Sequence, residues 1–271
     1  PRAAELADAA LAHIPFGTLL WIKTIAIPIF TATMSGQRER AIQFIDQLLA
    51  FSPSGEAQRE YMFAVRMILA GICQRIGTRI AEKLLRRVDE VLPESLLRQL
   101  QATHYDYYRH SEIDPWRQIK LSESMVEQLT ENGMVREAKL GHGYIGEAHG
   151  EAGELERGES ILRAALAKNT EPYGRSMFLV HLAALLSLRT DAVAQDEVLA
   201  ICQEQLANPG LSPGYVGWCR LMSARVHLAR GELAAAEPLL TQAIEVLRTA
   251  PYRRLVAQAM LIEVWARLGR I

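Results

Sequence analysis

The chain has 271 residues, of which 49% are apolar, and its formal net charge is −1. That length allows one extended repeat array or two globular domains, and the apolar share is sufficient for a continuous core. Balanced charge without a basic cluster argues against direct nucleic-acid binding, and the lack of a polybasic or long apolar run argues against membrane attachment.

The number and spacing of the cysteines indicate whether the chain resides in an oxidising or a reducing compartment. Cys73, Cys202 and Cys219 form no CxxC pair, and their number is odd. This argues against a disulfide framework, so we expect the cysteines to be small core residues in a reducing, cytoplasmic environment. The chain begins at Pro1 without a recognisable signal peptide, and we expect it to be a fragment of a longer protein.

Helix-breaking residues recur along the chain at a nearly constant pitch. They stand 37 to 42 residues apart, at Pro15, Pro53, Pro93, Asn132-Gly133, Pro172, Pro209 and Pro251. A second set of turns lies between them, at Ser35-Gly36, Gly77, Ser111, Gly153, Thr190, Gly231 and Gly269. Such a constant pitch is the sequence signature of a repeat protein.

The segments between these turns predict paired helices throughout. In chain order the approximate units are 1–15, 19–53, 57–93, 94–133, 134–172, 173–209, 213–251 and 252–271. Good helix formers dominate them, apolar residues recur three and four apart, as in Ile42, Ile45 and Leu49, and no segment alternates with period two. We therefore predict an all-α, single-domain chain of about fourteen helices. The first and last units each hold one helix of a pair, so we also expect self-association through uncapped ends.

Small residues fall at fixed places within each unit. One set, in the first helix, lets the second helix pack closely: Ala70, Gly146, Ala183 and Ala224. Another begins the second helix: Ala41, Ala81, Gly158 and Ala236. Between the two helices, Gly36, Gly77, Gly153 and Gly231 are expected to adopt the left-handed conformation that ends a helix. The unit 94–133 is degenerate, with Trp116 where a small residue is expected.

This pattern resembles a tetratricopeptide repeat (TPR) over essentially the whole chain, with a pitch of about 39 rather than 34 residues. The resemblance implies a right-handed α-solenoid of antiparallel helix pairs. The long pitch is similar to the TPR regions of bacterial ATP-dependent activators of the maltose-regulon type. The ending APYRRLVAQAMLIEVWARLGR resembles the arrays of bacterial serine/threonine kinase–ATPase regulators.

These resemblances imply a non-catalytic scaffold or regulatory module in bacterial signal transduction. Its expected partner is a protein or peptide segment, or a kinase or ATPase domain of the parent chain. The alternative is a small-ligand sensor that controls such an attached domain. Catalysis is not expected, because no Walker A sequence, GxSxG or Cys–His pair occurs.

Two local motifs favour packing over chemistry. Gly141, Gly143 and Gly146 formally match GxGxxG, but they lie inside a predicted helix rather than after a strand, so close helix packing is expected. His142 and His149 share that helix with two acidic residues at a spacing unlike that of helical zinc ligands. We therefore expect neither a metal nor a cofactor.

First helices line the concave groove of a TPR array, and the repeat pattern assigns groove positions to specific residues. The candidates are Arg75, Arg98, Gln101, Tyr105, Tyr108, Arg109, Glu147, Glu151, Trp218 and Arg225. Tyr105, Tyr108 and Arg109 share one helix face, and aromatic residues with Arg are common anchors. The same tyrosines could instead pack in a core. Of the four tryptophans, Trp21, Trp116, Trp218 and Trp265, most are expected to pack in the core or between repeats.

Overall fold

The computed structural model describes residues 2–72, 76, 78–94, 114–131, 133, 135–169 and 171–271. Across these ranges the chain is all-α, with thirteen α-helices and no strand. The all-α prediction is therefore confirmed. The predicted first helix of the unit 94–133 falls almost entirely outside the described residues.

Two compact units divide the chain, Pro1–Arg109 and His110–Ile271. The helices of the first are α1 (Arg2–Leu11), α2 (Leu19–Met34), α3 (Arg38–Ala50), α4 (Glu56–Gly71) and α5 (Thr78–Val91). Those of the second are α6 (Pro115–Glu131), α7 (Val135–Glu151), α8 (Leu155–Lys168), α9 (Pro172–Leu186), α10 (Ala192–Leu206), α11 (Pro213–Ala229), α12 (Leu233–Val246) and α13 (Pro251–Arg267). The single-domain prediction stays a prediction.

Helix α2 is the centre of the first unit. It packs against α1, α3 and α4, and Ile22, Ile25 and Ile29 on it are fully buried. Their three- and four-residue spacing places them on one face. Pro28 interrupts the apolar run in the sequence, yet the helix continues through it to Met34.

In the second unit each helix packs against the next along the chain. Alternate helices also touch, so that α7, α9, α11 and α13 form a continuous row. The core between neighbouring helices includes Leu162, Phe178, Val198 and Leu240. This arrangement brings residues far apart in sequence onto one surface.

The turn that ends the first helix of a predicted unit recurs with the same geometry. Glycines with φ between +67° and +86° end the preceding helices at Gly36, Gly153, Gly231 and Gly269. In each case the next residue donates its backbone N–H to a carbonyl five residues back, as from Glu154 to His149. The left-handed glycines predicted at Gly36, Gly153 and Gly231 are confirmed, while Gly77 lies outside the described residues.

Close packing at the small residues is also observed. Ala41, Ala81, Ala183, Ala224 and Ala236 are buried. A Cβ atom on Gly146 would lie 2.5 Å from Leu162, and one on Gly158 would lie 2.6 Å from the carbonyl oxygen of Gly146. Helices α7 and α8 therefore approach closely because these positions lack side chains.

Prolines begin helices at two of the predicted unit boundaries. Pro172 and Pro251 are the first residues of α9 and α13. A proline suits the first turn because its missing N–H would have no helical acceptor there. At these two boundaries proline therefore begins the following helix, whereas Pro53 and Pro209 lie in the connections between helices.

Candidate binding cleft of the second unit

The alternate helices of the second unit enclose a cleft of about 400 Å³. Its walls come from the first residue of α6 and from α7, α9, α11 and α13. The lining residues are Pro115, Glu147, Gly150, Glu151, Ala184, Leu185, Leu188, Trp218, Leu221, Arg225, Tyr252, Arg253 and Val256. The cleft therefore combines both signs of charge with aromatic and aliphatic side chains.

Helical periodicity explains why these side chains converge. On α11, Trp218, Leu221 and Arg225 are separated by three and four residues, which places them on one face. Glu147, Gly150 and Glu151 of α7 follow the same rule. Because α7, α9, α11 and α13 lie in a row, their equivalent faces join into one surface.

Glu147 is the electrostatic centre of the cleft. Its Oε2 lies 2.8 Å from Nδ1 of His181 on α9, and its Oε1 accepts a hydrogen bond of 3.2 Å from Nη2 of Arg253 on α13. Burial alone would raise the pKa of Glu147, but His181 and Arg253 outweigh that effect and hold it below the ordinary value. A single carboxylate thus connects three helices.

His181 is buried, with 2% of its surface exposed. The contact between its Nδ1 and Glu147 lies outside hydrogen-bond geometry and is therefore electrostatic. Its Nε2 has no hydrogen-bond partner among the described residues. The ring meets Tyr144 edge-on at 5.6 Å and Trp218 edge-on at 5.2 Å between centroids. Aromatic packing therefore fixes the orientation of the imidazole.

Trp218 forms the floor of the charged region. The guanidinium carbon of Arg253 lies 3.5 Å from the centre of its ring, a cation–π contact. Tyr215 stacks on the same ring at 6.1 Å. Arg253 is thus held twice, by the face of Trp218 and by the carboxylate of Glu147.

Arg225 lines the cleft from α11, about two helical turns after Trp218. Its Nη1 donates a hydrogen bond of 3.1 Å to Oγ of Ser187, and that hydroxyl donates to the carbonyl of Ala184 at 2.7 Å. Burial lowers the pKa of Arg225, although Tyr252 opposes this. The guanidinium is therefore partly desolvated but bonded to a neutral group.

Four of the ten groove candidates fall in the described part of the chain, and all four line this cleft: Glu147, Glu151, Trp218 and Arg225. The other six, Arg75, Arg98, Gln101, Tyr105, Tyr108 and Arg109, lie outside the described residues. The predicted Tyr105–Tyr108–Arg109 anchor therefore stays a prediction.

Sequence reasoning missed Tyr252 and Arg253, which line the cleft, and also His181 and Ser187, which contact the lining residues Glu147 and Arg225. Tyr252 and Arg253 directly follow Pro251, and extending the groove assignment into the last helix would have found them. His181 and Ser187 carry no such signal, because their roles depend on contacts with other helices.

The glycines of the GxGxxG match pack closely, and of the two histidines on that helix His142 is exposed and His149 is buried. Gly141, Gly143 and Gly146 lie within α7, where added Cβ atoms would meet Val126, Met177 and Leu162 at 2.5 to 2.9 Å. On the same helix His149 is buried, and its Nδ1 lies 2.6 Å from a carboxylate oxygen of Glu154. Within the described ranges no three His, Cys, Asp or Glu side chains are arranged to hold a metal ion.

The tryptophans and cysteines differ in how deeply they are buried. Trp21 is buried and Trp265 partly buried, as expected, but 57% of Trp116 is exposed. Together with the buried Trp218, three of the four tryptophans pack, which agrees with the expectation for most of them, and the exposed one, Trp116, lies in the first turn of α6. Cys202 and Cys219 are free and buried, which confirms their core position, and Cys73 lies outside the described residues.

No protein-family model matches the chain, and no curated protein matches it significantly. In the part of the chain that the structure describes, none of the helices has the length and apolarity needed to cross a membrane.

Proposed function

We propose that the chain is a non-catalytic, TPR-like interaction module of a bacterial signal-transduction protein, whose cleft binds a segment of a protein partner. In this proposal the helix pairs form a right-handed solenoid, and the free, buried cysteines fit a cytoplasmic location. The recurring glycine turn and the row of alternate helices support the solenoid arrangement.

One observation carries the functional part of the proposal: the cleft extends along four alternate helices and presents mixed chemistry. Exposed Leu188 and Tyr252 offer apolar contacts at its rim, beside the guanidinium of Arg225. A peptide held by a few aromatic, aliphatic and Arg anchors is the ligand that such a surface suits.

Panning of a random twelve-residue peptide library on the chain tests this function. Enriched peptides would be measured by fluorescence anisotropy against the wild type, Leu188→Glu and Val193→Glu. Leu188 and Val193 are both exposed apolar residues, but only Leu188 lines the cleft. We expect Leu188→Glu to weaken binding about tenfold or more, since it places a charge among the apolar contacts, and Val193→Glu to leave it within about twofold. Failure to enrich any peptide, or equal binding to both variants, would contradict the proposal.

The size of the cleft favours a second candidate, the small-ligand sensor that controls an attached ATPase or kinase. A volume of about 400 Å³ falls within the range of small-molecule pockets. A thermal-shift screen with a metabolite panel separates the two. Stabilisation by a metabolite that is lost in Leu188→Glu, together with no enriched peptide, would favour the sensor.

A further inference from the structure

Arg225 differs from Glu147 and Arg253, two other charged residues of the cleft, in its partners. Glu147 and Arg253 form an ion pair with each other, and Glu147 also lies against the ring of His181. Among the described residues, no Asp or Glu lies within ion-pair distance of Arg225, whose bonded partner there is the neutral hydroxyl of Ser187. The cleft thus holds a guanidinium without a described counter-charge.

The cost of this arrangement follows from burial. Arg225 is only partly exposed, and removing a cation from water is unfavourable unless an anion or several acceptors replace the water. A guanidinium has five N–H donors in a planar fork that matches a carboxylate. The described contacts use one of them, and none of the others is buried without a partner. These donors therefore remain open to the cleft.

The surroundings of Arg225 indicate what else the ligand carries. Leu221 lies one turn before it on α11, and Leu188, Tyr252 and Val256 complete the adjoining wall. Leu188 and Tyr252 are 43% and 46% exposed. An anion bound at Arg225 would therefore lie beside apolar surface that still contacts water.

We propose that Arg225 is the anion-binding residue of the cleft, and that it takes a carboxylate of a peptide segment whose neighbouring apolar side chain packs on Leu188 and Tyr252. This inference rests on the proposed function and adds the chemical class of the partner. An acidic side chain and a free chain terminus would each supply the carboxylate, and the two sources are separated by experiment.

The probes are the enriched twelve-residue peptides whose binding Leu188→Glu weakens. Each is made with its Asp and Glu residues intact or changed to Asn and Gln, and with a free or an amidated C-terminus. Anisotropy is measured with the wild type, Arg225→Gln, Arg225→Lys and Arg220→Gln. Arg220 lies on the same helix but does not line the cleft. Circular dichroism verifies that each variant is folded.

We expect removal of the carboxylate, from a side chain or from the terminus, to weaken wild-type binding about tenfold or more, because a charge-assisted bidentate contact is lost. In Arg225→Gln the acidic and amide forms should bind equally. Arg225→Lys should keep part of the preference, and Arg220→Gln all of it.

Two results would overturn the inference. If peptides bind the cleft but acidic and amide forms bind the wild type equally, the carboxylate site is wrong and the interaction function stands. If the acid preference persists in Arg225→Gln, the anion is held elsewhere. Absence of any cleft-binding peptide overturns the proposed function as well.

Discussion

Glu147 shows how one residue can serve both the fold and the cleft. Its carboxylate is only 11% exposed and contacts side chains from two other helices, one of them 106 residues away in sequence. A buried carboxylate without such partners would be strongly unfavourable. The charge of Glu147 is therefore tolerated because α9 and α13 supply His181 and Arg253.

This network predicts a pH dependence that Glu147→Gln should remove. The native pKa of Glu147 is lowered, so its stabilising contribution is complete above the ordinary glutamate value of about 4.3 and is lost as pH falls through the lower native value. At pH 7 we expect the free energy of unfolding of Glu147→Gln to be about 1–3 kcal/mol lower than that of the wild type. This difference should shrink below about pH 4.

Urea denaturation at several pH values between neutral and acid provides the measurement. Glu204→Gln is the control, because Glu204 is exposed on α10 and outside the cleft. A constant difference between the wild type and Glu147→Gln across this range would show that the carboxylate is not preferentially ionised in the native state.

At the level of helix pairs, the contact between α7 and α8 depends on residues that lack side chains. Glycine within a helix normally costs about 1 kcal/mol relative to alanine. Gly158 is retained in α8 beside the backbone of Gly146 and the side chain of Leu185. The close approach of the two helices explains why a poor helix former occupies this position.

Gly158→Ala should therefore destabilise the chain although alanine is the better helix former. The added Cβ would lie 2.6 Å from a backbone oxygen, which cannot move without displacing α7. We expect a loss of about 1–3 kcal/mol by chemical denaturation. Ala164→Gly, at an exposed position of the same helix, is the control, because it changes helix propensity without changing the packing. We expect it to lower the free energy of unfolding by about 1 kcal/mol. An unchanged or increased stability of Gly158→Ala would show that the helices can separate freely.

The sequence predicted helix pairs well because their signals are local. The left-handed turn at Gly231 and the small residue at Ala236 follow from backbone sterics within a few positions. The cleft was predicted only in part, since Trp218 and Arg225 occupy repeat positions that a pattern can assign. His181 was missed because its role arises from Glu147 and Trp218 on other helices, which no local pattern encodes.

Across the second unit, the arrangement of the helices in a row predicts how cooperatively the unit unfolds. Among the described helices, contacts concentrate between neighbours and between alternate helices. A solenoid with such contacts should behave as a chain of coupled units, each stabilised mainly by its neighbours. In a single globular core, by contrast, the destabilisation caused by one substitution would affect all of the helices.

Leu162 and Leu240 provide a matched pair for testing this. Both are fully buried, and each lies four residues after the small residue that begins the packing of its helix, Gly158 in α8 and Ala236 in α12. Replacement by alanine should cost about 2–5 kcal/mol at either site. Hydrogen exchange followed by mass spectrometry should then show faster backbone amide exchange than in the wild type. We expect the faster exchange around α7–α9 for Leu162→Ala and around α11–α13 for Leu240→Ala. Because the two substitutions are chemically identical, each is the control for the other.

The same exchange pattern for both variants, spread evenly over α6–α13, would mean that the unit unfolds as one cooperative body. That result would contradict the solenoid arrangement.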